Sequence, residues 1–316
     1  MPRSDRRSSA FIGGFKQAGF TAVALFILSI ATASSALAAE FTFAAVGDTP
    51  YTADEEERFP ALIAEMNRED LAFAVHVGDF KAAWMPCSDE LFRQRREWFE
   101  FSRHPFIFVP GDNEWTDCGR FAAGRYDPLE RLAALRRNFF DGGHSLGQRR
   151  IALERQSPAY PEHARWRHGQ VLFITLNAPG PNNNARLMPE EHRQRGAAIA
   201  DWLSAAFGAA RGGRAKAVVI LMQANPWASP SSRYFGFRGL LAQLARESSR
   251  FDGPVVLIHG DTHRHRVDHP LRAPASGKPV ANFTRVEVHG YPVMNWLRIR
   301  VIDDAGSMRF EVTPGS

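Results

Sequence analysis

The sequence predicts an α/β fold built as one domain with two sheets. Three observations carry this. From residue 41 onward, apolar runs of strand length alternate with amphipathic runs of helix length, as crossover units require. Extra strand-like runs in the middle and near the end point to a second sheet. No linker composition and no internal repeat divides the chain.

The elements follow in order. Residues 41–46 (FTFAAV) read as a strand. Residues 54–66 read as a helix, with Asp54 to Glu57 in its first turn, where carboxylates meet the positive end of the helix dipole. Residues 71–77 form a second strand. Residues 88–101 form a second helix, capped by Ser88, with Leu91, Trp98 and Phe99 recurring on one face. A third strand, 106–109, stops at Pro110-Gly111, and a helix follows over 127–140. Residues 151–155 and 171–176 are strand-like, with a turn at His168-Gly169 before the second. A loop dense in Pro, Gly and Asn spans 177–184. A long helix covers 190–207, a strand 217–222, a helix 235–247 and a strand 254–258. Residues 295–302 and 308–312 are strands, with a shorter one at 286–289.

Residues 1–38 stand apart. Arg3, Arg6, Arg7 and Lys16 precede an apolar stretch over 20–30, and Ser34 to Ala38 offers an Ala-x-Ala cleavage site. This is the pattern of an export signal peptide, cleaved after Ala38. The working domain is then 39–316, in the periplasm or outside the cell, without stable membrane insertion after cleavage; an uncleaved leader would instead tether it to the membrane. The segment carries four basic residues and one acidic residue, so the formal charge of +5 falls to +2 without it. That modest, scattered charge argues against a nucleic-acid partner. The only two cysteines, Cys87 and Cys118, suit a disulfide in an oxidising compartment. Such a bridge is worth about 3–4 kcal/mol in the chain-entropy model.

Polar residues cluster just after the apolar runs. Gly-Asp occurs four times, at 47–48, 78–79, 111–112 and 260–261, each time after a predicted strand. In α/β sheets, sites form at the carboxyl ends of strands. Glycine lets the backbone turn there and the aspartate point into a shared cleft. Four converging carboxylates raise one another's pKa or require a cation, and a multivalent metal with a histidine ligand is the simplest compensation.

These residues resemble the motifs of the calcineurin-like metallophosphoesterases: Asp-x-His, Gly-Asp, Gly-Asn-His-Asp/Glu, a lone His, and Gly-His-x-His, each after a strand. Here they read Gly47-Asp48-Thr49-Pro50, Gly78-Asp79, Gly111-Asp112-Asn113-Glu114, Gln223, and Gly260-Asp261-Thr262-His263. The resemblance covers residues 41 to 265. It implies a four-layer α/β/β/α sandwich with a two-metal centre that hydrolyses small phosphate mono- or diesters by attack of a metal-bound hydroxide. Asp48, Asp79 and His263 match ligands, with Asp79 at the position that bridges both metals. Pro50 replaces a His ligand, Asp112 an Asn, Gln223 a His (with Asn225 as competitor), and Asp261 a His. The donors become nearly all oxygen, which favours Mn²⁺ or Mg²⁺ over zinc and iron.

The resemblance also assigns roles around the ligands. Asn113 stands where the family has the His that protonates the leaving group, and Glu114 where a carboxylate orients that His. His265 or His259 would have to act as the acid instead. Apart from the resemblance, Lys81 and Arg264 lie near the ligands in the sequence, which suits phosphate binding or plain surface solvation. His76 reads as a core histidine, and Trp115 as packing beneath the site. The competing expectation is a catalytically impaired metal-binding or interaction protein on the same fold.

Overall fold

The computed structural model describes residues 40–230, 233–304 and 306–315; the expected leader lies outside them. Among the described residues twelve strands are formed: β1 (Glu40–Val46), β2 (Ala74–His76), β3 (Phe106–Phe108), β4 (Glu154–Ser157), β5 (Tyr160–His168), β6 (Val171–Thr175), β7 (Ala217–Leu221), β8 (Val255–His259), β9 (Arg266–Asp268), β10 (Phe283–Glu287), β11 (Leu297–Asp304) and β12 (Ser307–Pro314). The helices are α1 (Ala53–Met66), α2 (Asp89–Glu100), α3 (Pro128–Phe139), α4 (Pro189–Gly212) and α5 (Arg238–Ser249). One sheet runs β12-β11-β1-β2-β3 and the other β4-β5-β6-β7-β8-β10-β9.

Period-two alternation sorts the apolar side chains into three layers of core. Phe43 and Ala45 of β1 face inward with Val75, Ile107 and Ile299. They meet Phe173, Val219, Val256 and Val286 of the second sheet, and the Phe43 and Phe173 rings touch edge to face at 5.4 Å. Ala44 and Val46 face the other way and pack with Phe59, Phe99 and Leu135 of α1, α2 and α3. Val218, Ile220 and Leu257 pack likewise with Leu203, Phe207 and Leu244 of α4 and α5. The result is the four-layer α/β/β/α sandwich.

Register places the site. β1, β2 and β3 are parallel, with Val46, His76 and Phe108 in line, so their three Gly-Asp turns emerge side by side. In the second sheet Leu221 of β7 aligns with Ile258 of β8, which brings the turn after β7 beside the fourth Gly-Asp.

Several elements differ from expectation. β5 was not anticipated at all. Its inward side carries Glu162 with Ala164 and Trp166, and Glu162 is held by Arg136 at 2.9 and 2.6 Å, so no apolar alternation shows. β9 is three residues long and lies at a sheet edge. β10 begins before the expected 286–289, and β4 is shifted beyond 151–155. α2 buries Phe92, Arg95 and Phe99, while Leu91 and Trp98 are half-buried at the border of that face. Its cap is as expected, with the Ser88 hydroxyl accepting the Leu91 N–H at 3.1 Å. No helix among the described residues is long and apolar enough to cross a membrane.

Candidate metal centre

Five turns meet at the carboxyl ends of β1, β2, β3, β7 and β8. Asp48, Asp79, Asp261 and His263 all have left-handed backbones, with φ of 52°, 59°, 80° and 57°. Such conformations cost of order 1–3 kcal/mol each and persist where surrounding bonds over-determine them. The bonds are visible. The Asp48 N–H donates to Gly78 O at 3.0 Å, and Asp48 O accepts the Tyr291 N–H at 3.0 Å. Both Asp48 carboxylate oxygens accept the Asp261 N–H at 3.0 Å. A Cβ at Gly260 would collide with Asp48, which is why glycine is needed there.

Asp48, Asp79 and Asp112 are buried, and Asp261 beside them is half-buried. Burial, followed by the repulsion of neighbouring carboxylates, pushes the pKa values of Asp48, Asp79 and Asp112 well up. Asp261 rises to about 7 for the same reasons, with burial the largest. Asp79 is the most heavily hydrogen-bonded. Its Oδ2 accepts from the Tyr51 hydroxyl and the Gln223 amide, both at 3.1 Å, and its Oδ1 accepts the Asn113 N–H at 3.1 Å. Asp112 is the reverse: Oδ1 is buried and has no partner.

His263 Nδ1 donates to Tyr291 O at 2.8 Å, which leaves Nε2 as an acceptor 3.7 Å from Asp48 Oδ1. Burial lowers the pKa of this ring, so it is a neutral acceptor facing the Asp48 carboxyl group.

The remaining expected residues are placed as follows. Asn113 donates both amide hydrogens, to the Tyr51 hydroxyl at 3.0 Å and Lys81 O at 2.9 Å. Glu114 is fully buried and accepts the Phe80 N–H at 2.9 Å. Lys81, expected at the substrate, is also fully buried and donates to Ala82 O at 2.9 Å. Burial lowers its pKa to about 8 against the pull of Glu114 and Asp79, so it acts as an internal counter-charge. Arg264 is exposed. His265 does not join the cluster: its Nδ1 bonds Glu287 O at 2.8 Å and its ring lies 4.7 Å from that of His289. Burial pushes His259 down to about 3, leaving it neutral. Asn225, the competitor to Gln223, gives its N–H to Asp261 Oδ2 at 2.8 Å and its amide to Thr262 at 2.9 Å. Trp115 is wholly buried, as is His76, whose Nε2 bonds Thr49 O at 2.9 Å. Cys87 and Cys118 form the expected disulfide, with Cα atoms 5.7 Å apart.

Three side chains escaped the sequence reading. Tyr51 was one, although it stands only three residues after Asp48. Glu55 holds the first turn by accepting the Tyr51 N–H at 2.7 Å. Glu287, fully buried in β10, organises the last turn by accepting from Thr262, from the Arg264 N–H at 3.0 Å and from Arg266 Nε at 2.9 Å. Its signal was a lone acid inside an apolar run, RVEVHG.

Among the described residues, no three His, Cys, Asp or Glu side chains form a closed metal shell. The donor chemistry nevertheless fits a cation, on two grounds. Asp112 Oδ1 is buried and unpartnered. A Cβ added at Gly180 would lie 3.1 Å from Asp261 Oδ1 and 3.3 Å from Asp112 Oδ1, so both oxygens front a space kept by the missing side chain.

No family model matches the sequence, and no curated protein matches it by sequence. Solved structures do match. PhoD is similar with a TM-score of 0.55 and 12% identity, over 87% of this chain and 68% of that one. A dimetal phosphatase from Danio rerio aligns with a TM-score of 0.50 and 11% identity, over 87% and 98%. A purple acid phosphatase from yellow lupin (Lupinus luteus) seeds aligns with 0.54 and 12%, over 88% of this chain and 52% of that one. The likeness is one of fold: two packed sheets with helices outside them, and the chain has the calcineurin-like metallophosphoesterase fold.

Proposed function

We propose that the protein is an exported, divalent-cation-dependent hydrolase of small phosphate mono- or diesters. The observation that carries this is the buried aspartate cluster with Asp112 Oδ1 unpartnered at its centre. Retaining four crowded carboxylates costs stability unless a cation offsets the repulsion. Asp112 and Asp261, whose Oδ1 atoms front the same space at Gly180, would hold it, and their oxygen donors favour Mn²⁺ or Mg²⁺ over zinc and iron. When bound, such a cation neutralises phosphoryl oxygens and acidifies water.

The chain's own residues set the substrate. Asn113 has no proton to deliver at neutral pH, and both its amide hydrogens are engaged. Leaving groups therefore depart without acid assistance, which favours aryl esters. Exposed Trp84 and Tyr291 flank the Tyr51 ring at 6.3 and 6.0 Å and provide an aromatic wall beside the site. Exposed Arg264 is available to orient a phosphate. The leader pattern supports export and the disulfide is compatible with it; N-terminal sequencing of the secreted chain should begin at Ala39.

The test is hydrolysis of 4-nitrophenyl phosphate and bis(4-nitrophenyl) phosphate with Mn²⁺, with Asp112→Asn as control. A second reading, a cation-binding protein without turnover, draws support from the engaged amides of Asn113 and Gln223. Cation binding with no hydrolysis of either ester would favour it.

A further inference from the structure

We infer that the centre takes up a single divalent cation, held by Asp112 and Asp261 in front of Gly180, and that the chain's own donors fill the place of a second one on Asp79. The inference rests on the cation dependence proposed above and revises the expectation of two ions.

A carboxylate that bridges two cations must offer an oxygen to each. Asp79 has about four lone-pair positions, and three are already used by Tyr51, Gln223 and the Asn113 N–H. Gln223 has no ligand to give. Its Oε1 accepts the Gly180 N–H at 2.8 Å. Because an N–H only donates, that bond fixes the amide's orientation and turns its NH₂ toward Asp79. On the other side, the set Asp48, Asp79 and His263 meets Pro50, which has no donor, and the Tyr51 hydroxyl already holds the Asp79 oxygen. The Tyr51 ring packs 5.2 Å from His263 and fills that flank.

The pair Asp112 and Asp261 differs. Asp112 is more than nine-tenths buried with Oδ1 unpartnered. Asp261 commits Oδ2 to the Asn225 N–H and turns Oδ1 to the same space in front of Gly180. Two carboxylates, completed by waters and substrate phosphate, are an ordinary shell for Mg²⁺. That explains why no third carboxylate or imidazole among the described residues closes the group.

The test is stoichiometry. The full chain, saturated with Mn²⁺ and desalted, is analysed for metal by mass spectrometry and by electron paramagnetic resonance. About one Mn²⁺ per chain is expected, with the six-line spectrum of an isolated ion. Asp112→Asn and, separately, Asp261→Asn should lose it, with circular dichroism confirming that each folds. The double variant Tyr51→Phe with Gln223→His, which removes the hydroxyl and supplies an imidazole, should approach two ions with an exchange-coupled spectrum. Two ions in the unaltered chain would overturn this inference and leave cation-dependent hydrolysis standing. So would retention of the ion by both aspartate variants, or a double variant that stays at one. No bound Mn²⁺ at all would overturn both.

Discussion

Asp112 and Asn113 are adjacent, yet their surroundings give them opposite capacities. Asp112 keeps an oxygen without a partner, whereas Asn113 spends every amide hydrogen on protein acceptors. General acid catalysis typically contributes 10²- to 10⁴-fold, so kcat/KM for an aryl phosphate should exceed that for an alkyl phosphate of similar size by about 10² or more. Equal steady-state rates would mean that another group supplies the proton. The carboxylate shifts set a pH dependence of known sign. The folded Asp261 pKa of about 7 lies above its ordinary 3.8, so the cation-free fold holds a proton that the unfolded chain has lost. Its contribution is complete below 3.8 and falls away as pH rises to 7. Burial causes most of this rise and neighbouring carboxylates the rest, and a cation compensates the buried charge, so the rise in Tm on adding Mn²⁺ should be negligible near pH 4 and largest above pH 7. At 100 times Kd the gain is about 2.7 kcal/mol. A Tm gain independent of pH, measured by calorimetry, would place the ion elsewhere.

At the scale of elements, the strands that lead into Gly-Asp, β1, β2, β3 and β8, were legible because their carboxyl-terminal residues are buried on both faces and read as largely apolar runs, as does β7 before Gln223. β5 was not, because its inward face carries the Glu162–Arg136 pair, and only tertiary packing reveals the partner. The same limit hid Glu287 and Tyr51, whose roles depend on residues more than 20 positions away. The aspartates could be read from their place after strands, whereas the amide orientation of Gln223 is fixed only by Gly180, 43 residues earlier. Two changes probe the elements that brace the site. Phe99 of α2 is fully buried and stacks on Phe106 at 4.5 Å, so Phe99→Ala should cost about 3–5 kcal/mol in urea unfolding. Replacing both Cys87 and Cys118 by Ser should cost about 2–4 kcal/mol. It should also weaken Mn²⁺ affinity, because the bridge anchors the turn after β3 that carries Asp112. Unchanged affinity would show that the turn holds itself.

For the whole molecule, two parallel strand sets from different sheets bring their carboxyl ends together, and the acidic turns then concentrate charge that folding alone leaves uncompensated. Lys81 offsets part of it from within, and a divalent cation would offset more. The most direct measurement is hydrolysis of 4-nitrophenyl phosphate and its bis ester by the folded chain, with Mn²⁺ and with EDTA. Turnover with Mn²⁺ that disappears with EDTA, and that falls at least about 10²-fold in Asp112→Asn, is the expected result. No turnover of either ester with Mn²⁺ bound, or equal turnover with EDTA, would contradict it.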